Sequence, residues 1–204
     1  MSKKRVAIID YGVGNIRSVS RVIESTSLED NSSIEVVLTR DTSLILDSDL
    51  IVLPGVGSFN SASEQLFSFA DELVSHINSG TPTVGICLGM QLLFEKSEEG
   101  SGDGLGVFKG SVTKLSSNRK PHMGWNKIQS TEKSNSQVPW AYFAHSYACR
   151  PDDEEIVVGW STYDGDRFPA IVRKQNILGT QFHPEKSDLA GVRLLHNFIS
   201  EVIQ

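Results

Sequence analysis

The sequence predicts an α/β fold: a doubly wound, mostly parallel sheet with flanking helices, and an antiparallel subsheet in the second half. In the first half, short apolar runs alternate with stretches whose apolar residues recur at helical spacing. Strands that are apolar throughout are buried on both faces, which is typical of a parallel sheet covered by helices. In the second half, short strand-like runs follow one another with little helix between them. That change of pattern predicts the antiparallel subsheet.

The predicted elements follow in chain order. Apolar runs predict strands at 6–10, 34–38, 50–53 and 83–87. A helix is expected after the turn at 11–15, another near 64–77, and a third directly after Cys87. Short strands are predicted in the second half at 107–108, 127–128, 140–147, 156–160 and 170–173. Leu194, Leu195, Phe198, Ile199 and Val202 predict an amphipathic closing helix.

Length and composition indicate one globular domain spanning residues 1–204. The chain is 39% hydrophobic and 22% charged, with a net charge of -6. An acidic chain without a basic cluster is not expected to bind nucleic acid or an anionic membrane surface. Neither an export signal nor a membrane-spanning segment is expected, and only two cysteines occur, so we predict a cytoplasmic protein.

The segment 85–89, GICLG, is a candidate nucleophile elbow around Cys87. Glycines on both sides of a cysteine allow a sharp strand-to-helix turn that presents its side chain to a substrate. Backbone N–H groups at the start of the following helix favour the thiolate. Taken alone, a small buried apolar role for Cys87 is an equally good interpretation. Cys149 has no glycine elbow and is expected to pack in the core or at an edge of the sheet.

The segment 181–187, QFHPEKS, supplies a candidate base with its orienting carboxylate. Pro184 favours an extended backbone at His183, and residues two apart on an extended chain point to the same side. His183 and Glu185 are therefore expected to face together, with the carboxylate fixing the imidazole tautomer. A His-x-Glu pair alone more often has a structural role. The pair becomes a candidate for catalysis only in combination with the elbow at Cys87.

The turn 53–58, LPGVGS, is a candidate oxyanion site. The N–H groups of Val56 and Leu88 would make a suitable pair of donors, although an ordinary tight turn explains the segment equally well. Neither glycine pair, at 12 and 14 or at 55 and 57, continues into a dinucleotide fingerprint. The two cysteines are not spaced as a metal clip. No cofactor and no metal are therefore expected.

Several motifs together resemble class I glutamine amidotransferases. The segments that carry this resemblance are 54–57, 85–94 and 181–186. More narrowly, three further segments look like those of the glutaminase subunits of imidazole glycerol phosphate synthases, from histidine biosynthesis: 10–15, 121–126 and 142–147. The resemblance runs in order along nearly the whole chain.

The resemblance implies a Cys87-His183-Glu185 triad that hydrolyses glutamine through a thioester. It implies a glutamine pocket lined by Gly55, Gln91, His145, Ser146 and Tyr147. It also implies a heterodimer with a cyclase subunit that consumes the ammonia, contacted by Asn15, Met123, Trp125, Tyr142 and Lys186. For 122–126, a turn with a buried tryptophan is the alternative. A glutaminase of another amidotransferase complex and a non-catalytic partner-binding scaffold remain alternatives for the whole chain.

Overall fold

A computed structural model of the chain describes residues 3–12, 16–28, 33–132 and 138–203. The strands are β1 (Lys3–Ile9), β2 (Ser33–Thr39), β3 (Leu50–Leu53), β4 (Thr83–Ile86), β5 (Lys96–Ser97), β6 (Gly110–Lys114), β7 (His122–Lys127), β8 (Gln129–Ser130), β9 (Trp140–His145), β10 (Tyr147–Pro151), β11 (Val157–Tyr163), β12 (Asp166–Lys174) and β13 (Ile177–Thr180). The α-helices are α1 (Arg17–Glu24), α2 (Thr42–Leu46), α3 (Phe59–Leu66), α4 (Ala70–Asn78), α5 (Leu88–Leu92) and α6 (Asp188–Val202). Three short 3₁₀ segments, Phe67–Phe69, Glu154–Ile156 and Pro184–Lys186, complete the set.

The central sheet has the order β2-β1-β3-β4-β13-β12-β11-β8. Its strands are parallel from β2 to β13 and antiparallel from β13 to β8. The predicted fold class, a mostly parallel sheet with an antiparallel part in the second half, is therefore confirmed. The carboxyl ends of β3, β4 and β13 lie side by side at one edge, which is where ligands bind in open α/β sheets.

Helices cover both faces of this sheet because the side chains of a strand alternate between the two faces. On one face, Ile8, Val52 and Ile86 pack with apolar residues of α1 and α6. On the other face, Ala7 and Leu53 pack with apolar residues of α3, α4 and α5. Two apolar core layers result, one on each face of the sheet, and the central strands lie between them.

Two predicted elements differ in the structure. The helix expected near 64–77 is divided into α3, a 3₁₀ turn and α4, because the backbone leaves the helical region at Phe69 (φ -139°). The strand expected at 107–108 is wrong: Phe108 packs its ring 5.6 Å from that of Phe94 and donates its N–H to Leu93 O in a loop. Burial of one aromatic side chain, and not strand pairing, explains the apolar pattern there.

Two smaller sheets lie beside the antiparallel part of the central sheet, where β7 contacts β11 and β10 contacts β12. β10, β6 and β5 form one, and β7 and β9 form an antiparallel two-stranded ribbon. In the ribbon, His122 lies opposite His145 and Trp125 lies opposite Tyr142. None of the helices in the described ranges is long and apolar enough to span a bilayer.

Candidate active site

Cys87 occupies a strained turn between β4 and α5. Its backbone has φ 49° and ψ -101°, a conformation that L-residues rarely adopt and that costs on the order of 1 to 3 kcal/mol. Close packing explains the neighbouring glycine, because a Cβ on Gly89 would lie 1.9 Å from Leu53 O. The first turn of α5 can therefore press against β3, and the thiol is left at the carboxyl edge of the sheet.

The sulfur of Cys87 lies in a buried polar pocket, and the residue is 6% exposed. Its Sγ is 3.6 Å from Gln181 Nε2 and 3.9 Å from Ala144 O. A Cβ on Gly55 would lie 3.0 Å from Cys87 Cβ and 3.0 Å from His183 Cε1. The turn after β3, the elbow after β4 and the segment after β13 thus meet around one sulfur atom.

His183 Nδ1 lies 2.9 Å from Glu185 Oε1, and both side chains are more than nine-tenths buried. The extended geometry predicted for this pair is wrong beyond His183. His183 itself is extended (φ -95°, ψ 101°), but a 3₁₀ turn begins at Pro184 and folds Glu185 back toward the ring. Because Glu185 occupies Nδ1, Nε2 is the ring nitrogen left to interact with Cys87, and that interaction helps to raise the pKa of His183.

The charge state of His183 follows from these partners. Burial alone lowers the pKa of His183, but its hydrogen bonds to Cys87 and Glu185 outweigh burial and raise the pKa to about 10. An imidazolium held between a carboxylate and a sulfur can act as an acid toward a group bound at that sulfur. The site can therefore hold a reactive sulfur nucleophile next to an acid.

The structure joins most of the predicted pocket residues by hydrogen bonds. Gln91 Nε2 donates to Tyr147 O at 2.9 Å and lies 3.3 Å from Gln181 Oε1. His145 is 5% exposed and its Nδ1 donates to Tyr147 O at 2.9 Å. Since Tyr147 O receives both bonds, these residues form one connected group; whether they bind glutamine stays a prediction.

Ser146 is the bend between β9 and β10, and its carbonyl accepts from Leu115 N at 2.9 Å. Its place in the glutamine pocket stays a prediction. Gln181 was given no role from the sequence, although it stands two positions before His183. That spacing on a segment leaving a strand was the signal that could have found it, because residues two apart share a face.

The predicted oxyanion donors belong to the two turns that follow β3 and β4. Leu88 is the first residue of α5, so its N–H has no partner within the helix. Val56 is half-buried in the turn that also carries Gly55. Their role as a pair stays a prediction.

The predicted partner residues lie mainly on the outer face of the β7–β9 ribbon. Met123 is 65% exposed and Trp125 53% exposed, and the Trp125 ring stands edge-on to Tyr142 at 6.3 Å. The alternative of a turn with a buried tryptophan is therefore wrong, because Trp125 is exposed on a strand. Trp140, also 53% exposed, belongs to the same face but was not singled out from the sequence. Lys186 is exposed in the 3₁₀ turn, and Asn15 lies outside the described residues.

Cys149 is fully buried on β10 opposite Val112, and burial raises the pKa of its thiol. It lacks the strained elbow and the neighbouring base that Cys87 combines. Across the described parts of the chain, no cluster of three or more His, Cys, Asp or Glu side chains could hold a metal ion.

Comparison with known proteins agrees with this geometry. Residues 7–202 match the family described as "Glutamine amidotransferase class-I". The chain belongs to the class I glutamine amidotransferase family. The family predicted from the motifs, and with it an enzyme of this class, is thereby confirmed.

Full-length relatives support the narrower resemblance. The chain is 42% identical to "Imidazole glycerol phosphate synthase subunit HisH" of Methanocaldococcus jannaschii, covering 95% of this chain and 98% of that protein. It is 41% identical to the protein of the same name from Pyrococcus furiosus, covering 95% and 97%. The predicted resemblance to this subunit is confirmed.

Solved structures share the fold at lower sequence identity. "Structure of PurLQS from Thermotoga maritima" has a TM-score of 0.72 at 20% identity and covers 98% of this chain and 100% of that one. A glutamine amidotransferase from Thermotoga maritima has a TM-score of 0.66 at 15% identity and covers 98% of both chains. At such identities these structures support the architecture alone.

Proposed function

We propose that this chain hydrolyses glutamine to glutamate and ammonia at Cys87 and delivers the ammonia to a cyclase subunit of imidazole glycerol phosphate synthase. The observation that carries the proposal is the strained Cys87 elbow beside the buried His183-Glu185 pair. Full-length similarity to the HisH subunits supports the choice of pathway, which is histidine biosynthesis.

The reaction proceeds in two acyl-transfer steps. The thiolate of Cys87 attacks the side-chain amide carbon of glutamine, and the N–H groups of Val56 and Leu88 hold the oxyanion. The protonated His183 gives its Nε2 proton to the nitrogen, the C–N bond breaks, and ammonia leaves a thioester on Cys87. His183 then takes a proton from water, the hydroxide adds to the thioester, and glutamate leaves as the sulfur is released as thiolate.

Glu185 keeps the base in one orientation throughout. Its Oε1 accepts from Nδ1 of His183, so Nε2 always faces the sulfur and the substrate. The carboxylate also stabilises the imidazolium that both steps need. Burial of the pair strengthens this interaction because water cannot screen it.

The ribbon β7–β9 supports a partner at this site. Its outer face carries the exposed side chains of Met123, Trp125 and Trp140, and aromatic and methionine side chains are enriched at interfaces. The strand β9 runs from Trp140 to the site, where Ala144 O lies 3.9 Å from Cys87 Sγ. A cyclase docked on this face lies against the strand that contacts the nucleophile, and Ala144 pairs there with Met123.

Two measurements test the proposal. A glutamine-analogue electrophile should label Cys87 and not Cys149, as read by peptide mass spectrometry. Labelling of Cys149 alone would remove the catalytic assignment. For the narrower assignment, the chain is mixed with the cyclase and its nucleotide substrate, and imidazole product formed from glutamine is followed.

The expected result is product formation that requires both proteins and glutamine. A chain that turns over glutamine with no product and no stimulation by the cyclase would instead belong to another amidotransferase complex. A Cys87→Ser variant serves as the control for contaminating glutaminase.

A further inference from the structure

A second side chain, besides His183, contacts the sulfur of Cys87. Gln181 follows β13 directly, is fully buried, and places its carboxamide 3.6 Å from Sγ. A carboxamide has an NH₂ donor on one side and an acceptor oxygen on the other. The effect on a thiolate therefore depends on which of the two atoms faces the sulfur.

The neighbouring groups decide this orientation. Tyr147 O is a backbone carbonyl and can only accept, so the Gln91 atom 2.9 Å away must be its NH₂ nitrogen. The other N–H of that nitrogen points to the carboxamide of Gln181 at 3.3 Å, which must therefore present its oxygen. The NH₂ of Gln181 is left facing Cys87 Sγ. Two amide orientations are thus fixed by one carbonyl.

The carbonyl of Tyr147 also accepts a hydrogen bond from a buried pair of histidines, His145 and His122. His145 Nδ1–H donates to Tyr147 O at 2.9 Å, so its Nε2 is an acceptor and receives the Nδ1–H of His122 at 3.0 Å. His122 Nε2 then accepts from the amide nitrogen of Asn126 at 3.3 Å, which also donates to Thr162 O at 3.0 Å. Every donor in this series of hydrogen bonds faces one acceptor. Each of the two histidine rings therefore has a single allowed tautomer and is neutral.

Packing and burial keep the pair neutral. Burial lowers the pKa of His122 to about 4 and that of His145 to about 3. The His122 ring is stacked between Tyr163 and Phe143, with centroids at 4.0 and 4.7 Å. Protonation of His145 would set two N–H groups against each other across the 3.0 Å contact, and protonation of His122 would set its new N–H against the amide nitrogen of Asn126 at 3.3 Å.

We propose that Gln181 is a further catalytic residue, which donates a hydrogen bond to the thiolate of Cys87. His145 is a positioning residue that acts through the Tyr147 carbonyl. The bond to an anion is stronger than one to a neutral thiol, so the contact favours the reactive form of the sulfur. Gln181 is out of contact with solvent, so water does not compete for its N–H. This role of Gln181 deepens the proposed function, and it rests on that function only in taking the Cys87 thiolate as the nucleophile that attacks glutamine.

Other groups that face this sulfur must stay in place during the test. They are His183 with Glu185 behind it, the carbonyl of Ala144, and the buried Cys149 near the elbow. None of these groups is itself replaced in a Gln181 variant. A changed reactivity of the sulfur in a Gln181 variant therefore reports on the carboxamide.

The test is the pH profile of iodoacetamide alkylation at Cys87 in the full chain, followed by mass spectrometry of the Cys87 peptide. In Gln181→Leu the donor is lost, and the profile should move to higher pH by about one unit, which corresponds to the loss of one hydrogen bond to a charged group. Gln181→Glu keeps the shape of the side chain but places a carboxylate next to the sulfur, so its profile should move further to higher pH than that of Gln181→Leu. Gln65→Leu, at an exposed position on α3, is the matched control and should keep the original profile.

Gln181→Leu and Gln181→Glu variants that fold, by circular dichroism, and keep the original profile would overturn the inference. For the positioning role, His145→Phe should move the profile in the same direction by less than Gln181→Leu does, and His145→Asn, which keeps an N–H toward Tyr147, should restore it. An unchanged profile in His145→Phe overturns the positioning role. Alkylation needs no glutamine, so an absence of glutaminase activity contradicts the proposed function without affecting this test.

Discussion

His183 Nδ1 and Glu185 Oε1 lie 2.9 Å apart because the 3₁₀ turn that begins at Pro184 folds the carboxylate back onto the ring. Both side chains are buried, so the interaction is not weakened by solvent. The carboxylate occupies Nδ1 and leaves Nε2 for the sulfur. The pair therefore acts as one acid-base unit, and the backbone turn determines that the Nε2 side of the ring faces the sulfur.

Glu185→Gln should lower glutamine turnover at least about 100-fold with little change in KM, since the imidazolium loses its counter-charge and its tautomer is no longer fixed. The pKa of His183 should fall from about 10 for the same reason. Steady-state glutaminase assays with the cyclase present measure the first effect. Glu201→Gln, which removes an exposed partner of Arg173, is the control and should keep turnover. Turnover equal to the unmodified chain in Glu185→Gln would contradict this role.

Gly55→Ala should disable the site without unfolding the protein. The added Cβ would lie 2.8 Å from Ile86 O and 3.0 Å from both Cys87 Cβ and His183 Cε1. A displacement of the reacting groups by about an ångström can cost about 100-fold in turnover. Turnover and thermal unfolding, measured together, separate the two effects.

Gly165→Ala is the matched control for this change. Gly165 has φ 85° with open space around its Cβ position, so alanine there meets backbone strain of about 1 to 2 kcal/mol and no clash. It should lower stability slightly and leave turnover unchanged. Equal losses of turnover in both variants would mean that Gly55 acts through the fold and not through the site.

The sequence predicted those parts of the site that short segments encode. The glycines around Cys87 and the spacing of His183 and Glu185 are local patterns, and their physical meaning does not depend on strand order. The contact between Gln181 and Cys87 does depend on it, because it exists only since β13 lies beside β4 in the sheet. Sequence spacing does not supply that neighbour.

The buried histidine pair shows the same limit. His122 and His145 come together through the register of β7 and β9, where they are opposite residues. A shift of either strand by one residue would have turned its own histidine to the outer face and separated the pair, and no local motif specifies that register. Trp140 is a different case: it stands two positions before Tyr142, and the alternation along the predicted strand is enough to place both side chains on the same face.

The histidine pair should make the protein sensitive to acid. The folded-state pKa values, about 4 for His122 and about 3 for His145, lie below the ordinary value of 6.5 because burial disfavours the charged rings. Their neutral forms thus stabilise the fold fully above pH 6.5, and this contribution is lost as the pH falls toward 4 and 3. The loss is at most about 1.4 kcal/mol per pH unit for each ring.

Urea unfolding between about pH 7 and pH 4 measures this loss. The double variant His122→Phe with His145→Phe keeps the aromatic packing and should show a shallower decline in the free energy of unfolding. His183 acts in a different window: its raised pKa of about 10 means that its contribution is present below pH 6.5 and is lost as the pH rises toward 10. Parallel acid declines in the two proteins would contradict the assignment to the pair.

Trp125→Ala should weaken binding of the cyclase by about 30-fold, or about 2 kcal/mol, because exposed tryptophans at the centre of an interface commonly contribute that much. The side chain is 53% exposed on β7 and stands edge-on to Tyr142, so the free chain leaves a large apolar surface open to solvent. Titration calorimetry with the cyclase measures the dissociation constant. Phe67→Ala is the matched control, since Phe67 is 84% exposed but lies after α3 and outside the ribbon, and it should bind as the unmodified chain does. If Phe67→Ala weakened binding and Trp125→Ala did not, the partner would dock on the α3 side of the sheet and not on the β7–β9 ribbon.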